Sequence, residues 1–225
     1  MNAETPATPR SLGGRREQED RIVKAVRALF DERGLRDPTT DEVARAVGIN
    51  KATIYRHVAS KDELFLLVLC SYQDELDEWV RDVDEDLDPL TQFDRIIEKY
   101  IEFCRRYPAY IDCVAGLTAR PYEELSREVS LAVMLQVGRS TAPVNTRLAR
   151  VIAAGNEQAV FHADNPDYVM HICYSSILGV MQLLRLGVGI QEGHGQFPTV
   201  AELDYEPAIE VLMRTMHALL GVHGA

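Results

Sequence analysis

From Glu17 to Arg33 the apolar residues Ile22, Val26, Leu29 and Phe30 recur at helical spacing, with Arg, Lys and Glu between them. That is the pattern of a helix with one buried face, and Gly34 follows as a C-terminal stop. Thr39-Thr40-Asp41-Glu42 is a capping box, in which the Thr39 hydroxyl accepts from the Glu42 amide while Glu42 reaches back. It opens a short helix carrying Val43, Ala44 and Val47, ended by Gly48. Asn50 caps a second short helix with Ile54, Tyr55 and Val58 as its apolar residues. Ser60-Lys61-Asp62-Glu63 repeats the capping box and begins a long helix to about Asp82. Residues 1–16, polar and containing Gly and Pro, read as a mobile tail.

Beyond this point prolines mark the helix starts, because the first turn has no use for the N–H that proline lacks. Helices are expected from Pro89 to about Arg106, Pro108 to about Ala119, Pro121 through Leu135, Pro166 to about Val188, and Pro207 to about Leu220. A helical pattern also runs from Gly138 to Ala154 across Pro143, which predicts a kink or a break between Gly138 and Pro143. The stretch from Gly189 to Thr199 reads as a loop. No alternating β-branched run occurs, so the expected fold class is all-α. A three-helix N-terminal domain (residues 17–61) precedes a larger helical domain of about nine helices (residues 62–225).

Composition changes this picture only in part. The 225 residues are 46% hydrophobic and 26% charged, ordinary for a globular protein. No uninterrupted apolar run approaches the ~18–20 residues of a membrane span. The most apolar stretch, Ile172 to Val188, is broken by Ser175, Ser176, Gln182 and Arg185. The first residues lack the apolar core of a secretory signal, so a cytoplasmic protein with no membrane partner is expected. Cys70, Cys104, Cys113 and Cys173 lack metal-binding spacing and read as buried thiols. The net charge of −11 argues against nucleic acid, but it is unevenly divided. Residues 1–61 hold 12 Lys and Arg against 9 Asp and Glu, while residues 62–225 hold 12 against 26. The first part, at +3, can sit on a polyanion that the remainder, at −14, avoids.

A helix-turn-helix needs two short helices crossed at a fixed angle, so that the second can enter a major groove. Ala44 supplies the small contact residue and Gly48 a turn residue tolerant of positive φ. Val43, Val47, Ile49 and Ile54 lock the pair. The run TTDEVARAVGINKATIYRHVASKDELF resembles the N-terminal signature of the tetracycline-repressor (TetR) family of bacterial transcription regulators. The resemblance is strongest over residues 17–68, and the later helix count is similar. It implies that Tyr55, His57 and Lys61 contact operator phosphates, with Thr40 near the backbone. It likewise implies that Lys51, Ala52, Thr53 and Arg56 present the face that meets base edges and nearby phosphates. Asp41 stands where some members carry a base-reading Arg, and Val58 where Phe is more frequent. The chemistry agrees: Lys61 begins a helix, where its charge and the free amides both favour phosphate. Phosphate contacts set register, and Lys51, Thr53 and Arg56 are the groups able to discriminate bases. Arg10, Arg15 and Arg16 could add phosphate or minor-groove contacts, or stay solvated.

The resemblance also implies that the larger domain senses a ligand among its central helices. Tyr100, Phe103, Cys104, Tyr107 and Tyr110, followed by Met134, Val137, His171, Tyr174 and Met181, suit a mostly apolar pocket, although each is equally a core type. A C-terminal helix pair is expected to form a four-helix homodimer interface, through Ile177, Met181 and Leu184 on one helix. The other contributes the stripe Ile209, Leu212, Met213, Met216, Leu219 and Leu220. No hydrolase, zincin or nucleotide-binding motif occurs, and no Glu-x-x-His pair. His162, Asp164, Asp167 and His171 could approach a metal, but Asp164 and Asn165 more simply cap a helix. The sequence therefore predicts no catalytic residue, cofactor or metal. It predicts a homodimeric, ligand-responsive regulator, most simply a repressor, that binds a pseudo-palindromic operator in duplex DNA. The alternative is an all-α small-molecule binding protein or enzyme with a vestigial helix-turn-helix.

Overall fold

A computed structural model describes residues 9–33, 39–119, 121–187, 189–191 and 199–222. Ten helices are found among them: α1 (Pro9–Arg33), α2 (Thr40–Val47), α3 (Lys51–His57), α4 (Lys61–Arg81), α5 (Pro89–Arg106), α6 (Pro108–Thr118), α7 (Tyr122–Glu128), α8 (Leu131–Glu157), α9 (Pro166–Leu186) and α10 (Tyr205–Leu219). Seven of these follow the helix-turn-helix, where about nine were expected. Gly34 and Val188 lie outside the described residues.

Several boundaries differ from the sequence reading, and the last helix begins at Tyr205 rather than Pro207. The first helix begins at Pro9 rather than Glu17, so the described part of the predicted tail is helical. The helix opened by Pro121 stops at Glu128, and a new one starts at Leu131 and runs through Pro143 to Glu157 without a break. Pro143 is exposed, as is Arg139 one turn earlier, so the carbonyl deprived of its partner lies on the solvent side. The predicted loop at 189–199 begins and ends in short strands, β1 (Gly189–Gln191) and β2 (Thr199–Ala201), paired antiparallel with Ile190 opposite Val200.

The chain forms two compact units, one of residues Met1–Tyr72 and Asp112–Ser140, the other of Gln73–Ile111 and Thr141–Ala225. In the first, α1 packs on both α2 and α3. Ile22, Val26 and Phe30 of α1 are buried, as are Val43 and Val47 of α2 and Ile54 of α3. Polar links reinforce that core: Arg21 donates to the Val47 carbonyl at 3.2 Å, and Arg27 donates to the Ser71 carbonyl at 3.0 Å. Tyr72 lies under the Arg27 guanidinium, 4.1 Å from it, and donates its hydroxyl to Asp31 at 2.6 Å. Burial and the Asp31 carboxylate hold the Tyr72 phenol well above its ordinary pKa, so it stays a donor.

In the second unit α5 packs on α9, and α9 on α10. Asp88 caps α5, accepting from the Leu90 and Thr91 amides, and Pro89 fills the first helical position. Phe93, Ile96, Ile97, Tyr100 and Phe103 line its buried face. Gly155 near the end of α8 admits no side chain, because a Cβ there would lie 1.9 Å from the Phe161 ring. Helix α9, 21 residues long, is long and apolar enough to span a membrane by length and composition, an 18-residue stretch of it having mean hydropathy 1.4 despite its four polar interruptions. It buries Met170, Cys173, Ile177 and Met181, and leaves Tyr168, Ile172, Leu183 and Leu186 exposed.

Candidate nucleic-acid interface

The helix-turn-helix is held at each junction by a side-chain cap. Thr39 and Glu42 make the predicted capping box at the start of α2: the Glu42 amide donates to Thr39 Oγ1 at 3.3 Å, and the Thr39 amide to Glu42 Oε2 at 2.8 Å. Gly48 then takes φ +74° and donates its N–H to Ala44 and Arg45, while the Ile49 N–H also reaches the Ala44 carbonyl. Asn50 caps α3, its Oδ1 accepting from both the Thr53 amide at 2.8 Å and the Thr53 hydroxyl at 2.9 Å. Thr53 is therefore committed on one side to the cap and accepts from Arg56 Nη2 at 2.8 Å on the other.

This scaffold leaves one face of α3 outward. Of its seven residues only Ile54 is buried; Lys51, Ala52, Tyr55 and Arg56 are exposed, and Thr53 and His57 half-buried. Tyr55 is 53% exposed, and its hydroxyl lies 3.1 Å from Thr40 Oγ1, so α2 and α3 present a hydroxyl pair together. Lys51 Nζ stands 3.5 Å from Asp41 Oδ1, an ion pair that the sequence does not announce, because Asp41 reads there only as a lost arginine. The exposed pair partly offsets the charge of the cation at the start of α3. His57 Nδ1 is buried with no hydrogen-bond partner among the described residues. Thr40, Asp41, Lys51, Tyr55 and Lys61 rim a cleft of about 420 Å³ floored by apolar residues such as Phe30 and Ile54. All eight residues expected to face DNA thus belong to α2, α3 or the first residue of α4.

Among the ligand-pocket candidates, Tyr100, Phe103, Tyr110 and Tyr174 gather into one packed aromatic cluster. Tyr100 and Tyr110 are buried, with their hydroxyls 2.6 Å apart, and Gln73 donates to the Tyr110 hydroxyl at 2.9 Å. Tyr174 packs edge-on against Tyr100 at 5.9 Å. Burial raises all three phenols above their ordinary pKa, so the group stays neutral and satisfied. Phe103 is core, and the Tyr107 hydroxyl donates to Glu75 at 2.6 Å. His171 is exposed, while Met134 and Val137 are half-buried and belong to the first unit. Cys104 and Met181 line a cavity of about 170 Å³, with Arg105, Arg185 and Tyr205 at the same opening. That is room for a benzene-sized group.

The four cysteines are buried free thiols. Burial pushes Cys173 up to about 11 and Cys104 higher still, which removes them as nucleophiles at neutral pH. No group of three or more His, Cys, Asp or Glu gathers as a metal cage among the described residues.

The dimer candidates divide by burial. Ile177, Met181, Leu212 and Met216 are buried within the protomer, Leu184 and Ile209 half-buried, and Leu219 36% exposed. The apolar surface of this helix pair lies one step round. Ser176, Gly179, Val180 and Leu183 of α9 and Ala208 and Val211 of α10 line an open groove of about 800 Å³.

A family model described as "Bacterial regulatory proteins, tetR family" matches residues 22–68. The HTH-type transcriptional repressor KstR2 of Mycobacterium tuberculosis is 31% identical over 91 residues, 40% of this chain and 46% of that protein. The HTH-type transcriptional activator FasR of Mycolicibacterium smegmatis is 33% identical over 87 residues, 35% of this chain and 40% of that protein. The chain thus matches under half the length of either curated relative. Over the whole fold, the structure of RolR in complex with resorcinol is similar with a TM-score of 0.66 at 16% identity, covering 94% of this chain and 91% of that one. At such identity the likeness establishes the fold.

Proposed function

We propose, from the match of residues 22–68 to the family model of tetR-type bacterial regulatory proteins, that this chain is a DNA-binding transcriptional regulator of that family. The observation that carries the reading is the capped, outward face of α3, where Lys51, Tyr55 and Arg56 are exposed while Ile54 alone is buried. Such a face meets the needs of a major-groove reader: cations for phosphate, and Arg, Lys and Thr for base edges. The reading extends to a repressor, supported by the name of the KstR2 relative, acting in the cytoplasm rather than as an enzyme.

Its partners on this reading are a pseudo-palindromic operator, a second copy of the chain and a small, mostly apolar effector. The cavity beside Cys104 and Met181 supports the effector, since it is apolar within and small. The exposed apolar groove of α9 and α10 supports self-association, because a monomer leaving Leu183 and Val211 half-exposed gains by covering them. It also accounts for the apolarity of α9 without a membrane. The test is binding of duplex DNA from around its own coding region as salt is raised. A regulator binds one fragment selectively, with affinity falling steeply through counterion release. Absence of selective binding at low salt, on that region and on genomic fragments alike, overturns the reading.

A further inference from the structure

Glu63 stands in the first turn of α4, yet its carboxylate serves two segments far apart in sequence. It is 5% exposed. Oε2 accepts from the Ala59 amide at 3.0 Å, and Oε1 from the Ser130 amide at 2.8 Å. A simple capping box returns the glutamate to the amide of the cap residue itself, here Ser60. Ser60 does its half of that work, accepting the Glu63 amide at 3.0 Å, but the carboxylate goes one residue further back and across to Ser130.

Both recipients are junctions. Ala59 follows Val58, whose N–H closes α3 on the Ile54 carbonyl, and precedes Lys61 by two residues. Ser130 is the residue before α8, and its carbonyl accepts from Met134 in the first turn of that helix. One buried charge therefore fixes the exit of α3 against the start of a 27-residue helix. All three residues lie in the same compact unit. Charge-assisted bonds of this kind are stronger than neutral ones, and losing the acceptor leaves two part-buried amides unpaired.

We propose that Glu63 is a positioning residue for DNA binding, whose carboxylate couples the N-terminus of α8 to the exit of α3, so that a shift of one is felt by the other. The proposal rests on the reading of α3 as the DNA reader. A glutamate that merely stabilised α4 would not need Ser130, and this separates the two roles. Ser130→Pro removes the amide that donates to Glu63 and leaves the α4 cap untouched, Val129 before it being already extended (φ −119°, ψ 136°) as a residue before proline must be. Glu63→Gln keeps the shape but turns one acceptor into a donor facing an N–H. Asp88→Ala, which removes the cap of α5, serves as a control for a capping loss elsewhere.

The measurements are amide hydrogen exchange over residues 58–60 and affinity for the DNA fragment selected by the wild-type chain, with circular dichroism to establish folding. The expected result is faster exchange at 58–60 in both Glu63→Gln and Ser130→Pro. Affinity should fall about tenfold in the first and about threefold in the second, with a double variant no worse than Glu63→Gln alone because both remove the same link. Asp88→Ala should bind as wild type. Wild-type exchange and affinity in Ser130→Pro would overturn the proposal, as would additive losses in the double variant or an equal loss in Asp88→Ala. If Glu63→Gln does not fold, the Ser130→Pro result decides the matter by itself. A wild-type chain that selects no DNA overturns the regulator reading, and the positioning role with it, while the exchange result still shows whether the link between 59 and 130 exists.

Discussion

Gly48 is the residue on which the crossing of α2 and α3 turns. A Cβ built there meets nothing within 4 Å, so space is not the constraint; the backbone is, at φ +74°. Replacing it with Ala forces an L side chain into the left-handed region, at about 1 kcal/mol. Gly48→Ala should therefore lower stability by roughly that amount in thermal or urea unfolding, and Gly48→Asn by less, since asparagine tolerates this conformation. Equal stability of all three would mean that the turn relaxes without strain. This position is legible in the sequence, because a glycine after Ala44 and Val47 and before a capping residue has few other uses. The Lys51–Asp41 pair is not, since a departure from a familiar motif says what is missing and not what the new residue touches.

At the scale of elements, periodicity identifies the helices but not what covers them. The α10 stripe of Ile209, Leu212, Met213, Met216, Leu219 and Leu220 is apolar throughout, yet Leu212, Met216 and Leu220 are buried inside the protomer. A face turned to the chain's own core and a face turned to a second copy have the same pattern, so spacing alone cannot separate them. The long-range link from Glu63 to Ser130 is invisible for a related reason: nothing local marks residues 67 apart as neighbours. The break at Val129 is hidden because Pro121 announces a helix start and no proline or glycine announces its end. Burial now distinguishes two adjacent residues. Val211 is 52% exposed and Leu212 4%. Val211→Glu should leave the helical signal intact while shifting sedimentation from dimer to monomer. Leu212→Glu places a charge in a packed interior, a cost of several kcal/mol, and should collapse the helical signal itself. A dimeric, stable Val211→Glu protein would move the proposed interface off this groove.

For the molecule as a whole, charge and assembly decide how selective the proposed reader can be. An excess of +3 in residues 1–61 is modest beside −14 in the rest, so non-specific attraction to DNA is weak and must be concentrated at a few cations. On the proposed reading Lys61 and Arg56 take different roles in that small set. Lys61 opens α4, where its ammonium adds to the positive end of the helix dipole, a position suited to phosphate and blind to sequence. Arg56 is exposed in the last turn of α3 and is oriented by Thr53, which is itself held by the Asn50 cap. Its fork is thereby pre-set for a planar acceptor such as a guanine edge. Lys61→Ala should weaken binding to every duplex alike and reduce the slope of log affinity against log salt by about one unit for each phosphate that is no longer neutralised. Arg56→Ala should spare non-specific binding but cost about 1–3 kcal/mol on the selected fragment, relaxing preference at one or two base pairs in each half-site. Titrations of both variants on selected and scrambled duplexes, each at several salt concentrations, distinguish the roles. A uniform loss in Arg56→Ala would reassign that residue to the phosphate backbone, leaving Lys51 and Thr53 as the groups that read sequence.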